Sequence, residues 1–244
     1  MYSISGIIED FLSVQGESPF AGRLAYFIRF AKCNRKCPFC DTMQKMKNIE
    51  PYEKKIQEIL NTMIYYGCKL LIITGGEPLL YPNEIRKICE FFQSYEIDIQ
   101  IETNGDFLTR FFTIKQEDMP PIQINFLELW LSFPNLIVVW SPKLYTEKDL
   151  QQHVNTFAQI YRYKDLLDNL YIKPVVEPSN KKIVTSFLNC IRRWSDFDSS
   201  THVYLMPVGK TNEELSKNFP IAFEIAKMLG VNISPRLQVQ YSCL

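Results

Sequence analysis

The sequence predicts an α/β protein built on a parallel sheet with right-handed crossovers, as in a barrel or partial barrel. Three observations lead there. Short segments rich in β-branched and aromatic residues alternate with amphipathic stretches at helical spacing. Hydrophobic residues make up 46% and aromatics 14% of the 244 residues, enough for a sizeable core. No repeat or low-complexity tract interrupts the alternation. Strands that alternate with helices pair in parallel, and their crossovers take one hand. Residues 1–244 read as a single domain.

The expected strands are LAYFIRF (24–30), KLLIIT (69–74), DIQIET (98–103), LIVVWS (136–141), DNLYIKPVV (168–176) and HVYLMPV (202–208). Between them, 52–67, 82–95 and 180–194 read as helices. In the first, Ile56, Ile59, Leu60, Met63 and Ile64 form an apolar stripe that Gly67 closes as a C-cap. Pro82 suits the start of the second. Residues 106–135 break the rhythm: the stretch is long and aromatic, carries Pro120 and Pro121, and reads as an insertion.

Lys plus Arg and Asp plus Glu both number 27, and a zero net charge argues against a protein that holds nucleic acid by neutralising phosphates. No secretory leader is visible at the N-terminus, and no run of apolar residues is long enough to span a membrane. The cytoplasm is therefore the expected compartment, where clustered cysteines point to metal or redox chemistry rather than disulfides.

Three of the seven cysteines fall in CNRKCPFC, spaced Cys33-x3-Cys37-x2-Cys40. Structural zinc takes four protein ligands, commonly from two pairs, yet Cys68, Cys89, Cys190 and Cys243 are scattered singly. A [4Fe–4S] cluster held by three thiolates keeps one iron open for an exogenous ligand. A second motif, ITGGEPLL (73–80), ends a predicted strand. Gly75 and Gly76 allow close backbone approach to a ligand, and Glu77 offers an acceptor for a ligand ammonium.

The cysteine spacing, with Phe39 before the third cysteine, resembles the cluster loop of the radical S-adenosylmethionine (radical SAM) superfamily. Together with LSVQGESPFAGRLAYFIRFAKCN (12–34), CDT (40–42), IETNG (101–105) and WSPK (140–143), it resembles the 7-carboxy-7-deazaguanine synthase family. The resemblance is dense from about residue 7 to 143 and thins beyond 170. It implies a partial (β/α) barrel of radical SAM type. It also implies ring contraction of 6-carboxy-5,6,7,8-tetrahydropterin to 7-carboxy-7-deazaguanine with loss of ammonia, in the biosynthesis of queuosine and related deazapurines. The implied cofactors are a [4Fe–4S] cluster, S-adenosylmethionine and Mg2+; the implied partners are an electron donor such as flavodoxin or ferredoxin and a second copy in a homodimer.

By the same resemblance Cys33, Cys37 and Cys40 hold the cluster and Thr42 joins the magnesium shell. Phe39, Gly75, Gly76, Glu77, Glu102, Asn104, Ser141, Lys143 and Met206 contact S-adenosylmethionine. Gln15, Glu17, Arg29 and Gln240, with the terminal carboxylate of Leu244, contact the substrate. No side chain is assigned to hydrogen abstraction, which falls to the 5′-deoxyadenosyl radical. The tail carries Arg236-x3-Gln240 but has Ser242 where the family often has histidine. Two other readings are an activase that generates a radical on a partner protein and a zinc-stabilised binding module.

Overall fold

The computed structural model describes residues 2–40, 49–116 and 119–241. The chain forms two compact units, residues 1–13 with 24–138, and residues 14–23 with 139–244.

The first unit is organised around a sheet. Its strands are β1 (Ser3–Val14), β2 (Leu24–Phe30), β3 (Tyr52–Lys55), β4 (Leu70–Gly75), β5 (Asp98–Thr103) and the start of β8 (Leu136–Trp140), in the order β3-β1-β2-β4-β5-β8. The pairs β2–β4 and β4–β5 are parallel, as the sequence predicts, while β3 is antiparallel to β1. Helices α1 (Ile56–Tyr65) and α2 (Pro82–Phe92) supply the crossovers. In α1 the predicted stripe buries Ile56, Ile59, Leu60 and Met63, whereas Ile64 is exposed. The Gly67 N–H reaches the Ile64 carbonyl and the Cys68 N–H that of Met63, with Gly67 at φ 63°. This is the left-handed helix stop expected of a glycine there. Two readings need correction. YEKK, taken as helix, is strand β3, and the long β1 was not foreseen.

Residues 106–135 contain a hairpin, β6 (Phe111–Gln116) with β7 (Met119–Asn125), and a short helix α3 (Phe126–Leu131). A capping box from Asn125 and Glu128 starts α3.

In the second unit the expected strand 168–176 breaks in two. β9 (Leu170–Ile172) and β10 (Val175–Val176) flank Lys173-Pro174, where proline removes a ladder donor. The helices are α4 (Glu147–Ile160), α5 (Lys181–Ile191), α6 (Ser199–His202), α7 (Asn212–Leu229) and α8 (Leu237–Gln240). Strands β10, β11 (Tyr204–Pro207) and β12 (Asn232–Ile233) form a parallel sheet. Trp140 meets Phe187 of α5 edge to face at 5.7 Å, and Phe157 of α4 meets Trp194 and Phe197. Truncating Phe157 or Phe187 to Ala would cost about 3–5 kcal/mol. Among the described residues no helix is long and apolar enough to cross a membrane.

Candidate active site

In the first unit the cysteine loop leaves the end of β2 and lies against the turn after β4. Gly75 pairs with Phe30 and sits at φ 110°; a Cβ there would stand 2.3 Å from the Phe30 nitrogen. One on Gly76 would stand 2.1 Å from the Lys32 carbonyl oxygen. The Gly76 N–H donates to Phe30 O (2.8 Å) and the Glu77 N–H to Lys32 O (2.7 Å). The glycines therefore admit the backbone that delivers Cys33. The close approach foreseen for a ligand is, in the structure, an approach of the chain itself.

Glu77 is buried and already engaged. One carboxylate oxygen accepts the Leu79 N–H (3.1 Å) and the Thr103 hydroxyl (2.6 Å); the other accepts the Asn104 N–H (2.8 Å). The side chain expected at a cofactor ammonium thus locks the end of β5 to the glycine turn. Glu102 accepts from the buried Gln100 amide at 2.6 Å.

From β5 a polar chain runs back to the cysteines. Asn104 Nδ2 donates to Asn34 Oδ1 (2.9 Å), and the Asp106 N–H donates to Asn104 Oδ1 (2.9 Å). The Asp106 carboxylate takes Asn34 Nδ2 at 2.6 Å and the Arg35 fork through Nε and Nη2 at 2.6 and 2.7 Å. The Arg35 N–H in turn donates to Cys33 Sγ at 3.4 Å. Sequence reasoning missed Arg35 and Asp106, because neither belongs to a motif and their meeting requires the fold.

Cys33, Cys37, Cys40 and Phe39 are half-buried. Burial pushes the Cys33 thiol up, the Arg35 N–H opposes that shift, and Glu77, Cys37 and Cys40 nearby reinforce it. Among the described residues no group of three or more His, Cys, Asp or Glu side chains is gathered to hold a metal ion as the chain stands. The loop fits an iron–sulfur cluster by its donor set: three accessible soft ligands, one already receiving an N–H of the kind that tunes such clusters. Thr42, expected at magnesium, lies outside the described residues, as do Ser242 and Leu244.

Arg29, expected at a substrate carboxylate, has Nε 2.8 Å from Glu9 Oε2 and its guanidinium over the Phe11 ring. The Nε–H is not aligned for a hydrogen bond, so the contact is an ion pair only.

In the second unit the Gln15-Gly16-Glu17 turn is closed by main-chain bonds from Gln15 N–H to Arg23 O and from Gly22 N–H to Gln15 O, both 2.8 Å. Gln15 Oε1 accepts the Glu17 N–H at 3.1 Å. The C-terminal segment packs onto this turn. The Leu237 N–H donates to Gly16 O (2.9 Å), and a Cβ on Gly16 would stand 1.9 Å from Gln238 Oε1. Glu17 receives Lys173 Nζ (2.5 Å) on Oε2, and Arg236 Nε (3.2 Å) and Gln238 Nε2 (2.7 Å) on Oε1. Burial would raise the Glu17 carboxyl, but Lys173 and Arg236 outweigh it and hold the group well below the usual carboxylate range.

Gln240, the glutamine expected at the substrate, lines a cavity of about 500 Å³ with Phe219, Pro235 and Arg236. The tail glutamine that reaches Glu17 is Gln238. At the end of β8, Lys143 Nζ donates to the Ser141 hydroxyl at 2.9 Å. Met206 is buried in β11, its N–H bonded to Pro174 O.

Comparison with known proteins agrees with this chemistry. The radical SAM superfamily pattern matches residues 27–123. The chain is 38% identical to a 7-carboxy-7-deazaguanine synthase of Hyperthermus butylicus over 99 residues, 41% of this chain and 42% of that relative. It is 28% identical over 193 residues to the enzyme of that name from Clostridium acetobutylicum, covering 75% of this chain and 86% of the relative. A third, from Haemophilus influenzae, is 40% identical over 103 residues, or 44% of its length. At 30% identity or better, then, the chain spans less than half the length of these relatives. The crystal structure of QueE from Escherichia coli matches 94% of this chain and 93% of its own at TM-score 0.59 and 19% identity, a likeness of fold.

A parallel-dominated α/β sheet, a three-cysteine loop and the match over residues 27–123 make the chain similar to proteins of the radical SAM superfamily. In particular, the chain is similar to the 7-carboxy-7-deazaguanine synthases.

Proposed function

We propose that the protein converts 6-carboxy-5,6,7,8-tetrahydropterin to 7-carboxy-7-deazaguanine and ammonia, for queuosine or related deazapurine biosynthesis. The observation that carries the reading is the anionic Glu17 held on the Gln15-Gly16-Glu17 turn, a fixed acceptor suited to the N–H edge of a guanine-like pterin. When bound, the cluster and S-adenosylmethionine supply an electron and a 5′-deoxyadenosyl radical that takes a hydrogen atom from the substrate. The protein's own groups bind, orient and shield. Cys33, Cys37 and Cys40 hold the cluster, and the Gly75-Gly76 turn carries their loop. Glu77 and Asn104 keep the adjoining strand end in place. Phe39, Glu102, Ser141, Lys143 and Met206 contact S-adenosylmethionine. Arg29 meets the substrate carboxylate from its Glu9 and Phe11 support, while Gln15, Gln240 and Leu244 complete the substrate contacts and Thr42 assists Mg2+. The working form is a cytoplasmic homodimer that accepts electrons from a flavodoxin- or ferredoxin-like donor.

The test is anaerobic reconstitution with iron and sulfide, followed by reductant, Mg2+, S-adenosylmethionine and the tetrahydropterin, with products read by mass spectrometry. Carboxydeazaguanine is expected. An intact cluster that forms 5′-deoxyadenosine but no deazaguanine refutes the substrate assignment.

A further inference from the structure

Lys173 belongs to none of the motifs above, yet it is among the largest fully buried side chains, 2% exposed. A lysine in such a place is strongly destabilising unless its charge is paired. Its backbone is pinned where β9 gives way to β10: its N–H donates to Trp140 O at 2.7 Å, and Pro174 follows. From that fixed point Nζ reaches Glu17 Oε2 at 2.5 Å.

The two Glu17 oxygens are not equivalent. Oε1 is filled by Arg236 and Gln238, while among the described residues Oε2 receives only the Lys173 ammonium. A carboxylate offers about four acceptor positions, two on each oxygen. The one left for a ligand N–H is therefore on Oε2, and its direction is set by Lys173.

We propose that Lys173 is a positioning residue: it anchors Glu17 Oε2 and thereby aims the remaining acceptor position at the substrate's N–H edge. The assignment rests on the pterin reading for the identity of that substrate. Lys173 does not touch the reacting atoms, so its loss weakens substrate binding rather than chemistry.

The experiment compares Glu17→Gln, Lys173→Met, Lys173→Arg and the double variant Glu17→Gln/Lys173→Met with wild type. Steady-state kinetics use 6-carboxytetrahydropterin, and hydrogen exchange follows residues 14–23 and 236–241 in the iron-free proteins. Losing one charge-assisted hydrogen bond predicts a KM for the pterin raised roughly tenfold to a hundredfold with kcat changed less than about threefold. Exchange in 14–23 should quicken, and Lys173→Arg should recover part of both. The double variant keeps the test open if Lys173→Met folds poorly, since removing both members of the pair does not leave the Glu17 charge without its lysine. Its KM should not exceed that of Glu17→Gln, because the two residues act as one unit.

Unchanged KM, a loss confined to kcat, or additive effects in the double variant would each overturn the proposal. If wild type makes no deazaguanine, the substrate reading has failed separately. Lys173 is then judged on exchange alone: faster exchange in 14–23 upholds the anchor, and unchanged exchange overturns it.

Discussion

Replacing Asp106 by Asn keeps the side chain's size and removes its charge. The carboxylate now takes three N–H donors within 2.7 Å, two from the Arg35 fork and one from Asn34, with its side chain 8% exposed. An amide offers one oxygen and points its NH2 group at a donor, so at least one charge-assisted bond is lost. Such a bond contributes about 1.5–3 kcal/mol, and partial exposure of Arg35 places this one near 2. That corresponds to roughly thirtyfold easier local opening of the cysteine loop. The assay is hydrogen exchange at the Arg35 and Cys40 amides of the iron-free protein, alongside the rate at which a chelator strips iron from the reconstituted form. Both should accelerate, while Glu96→Gln, which alters a 4.0 Å pair at an exposed position, should change neither. Exchange within about threefold of wild type would refute the clamp, because a lost bond of this class cannot hide below that.

Alanine at Cys33, Cys37 or Cys40 should each abolish stable iron incorporation, whereas Cys190→Ala should retain it; iron per chain after reconstitution decides. Gly76→Ala forces a Cβ to 2.1 Å from backbone, so a loss of about 2 kcal/mol or more and poor iron loading are expected. Gly67→Ala meets open space and suffers only its φ of 63°, about 1 kcal/mol with iron loading intact; thermal unfolding of both variants tests the contrast. The Glu17 carboxyl lies below its ordinary value of 4.5 in the folded chain, so its contribution is complete above that pH and is lost as pH falls beneath it. Glu17→Gln should therefore flatten the acid limb of a stability–pH curve below about 4.5, and an unchanged limb would show that the ion cluster carries no such linkage.

Much of the first unit was legible because its signals are local. KLLIIT and DIQIET are short β-branched runs, and α1 writes its buried face at a spacing of three and four. β1 escaped notice because Gly6 and the acidic pair Glu9 and Asp10 dilute its alternation. Helix α4 has a full capping box from Thr146 and Asp149 that went unread, and α7 was masked by Pro220 in its interior. In the site, the three cysteines stood out in the sequence because all three thiols share one loop. The glycine pair was legible as a close approach, but what approaches is fixed by strand pairing. Lys173 was illegible: its meaning depends on a carboxylate 156 residues away, and no window along the chain contains both.

That separation has a bearing on how the polypeptide is made. Glu17 precedes Arg236 and Gln238 by 219 and 221 residues along the chain. At ordinary elongation rates the carboxylate waits roughly ten to forty seconds for its last partners. The turn bearing Glu17 is therefore completed only after that long wait, and loops closed over such distances are slow to form. Completing the second unit requires residues 236–238 to dock onto a turn that precedes them by more than two hundred residues. A chain that stops short of residue 236 carries the Glu17–Lys173 pair with Oε1 of the carboxylate left without its donors Arg236 and Gln238.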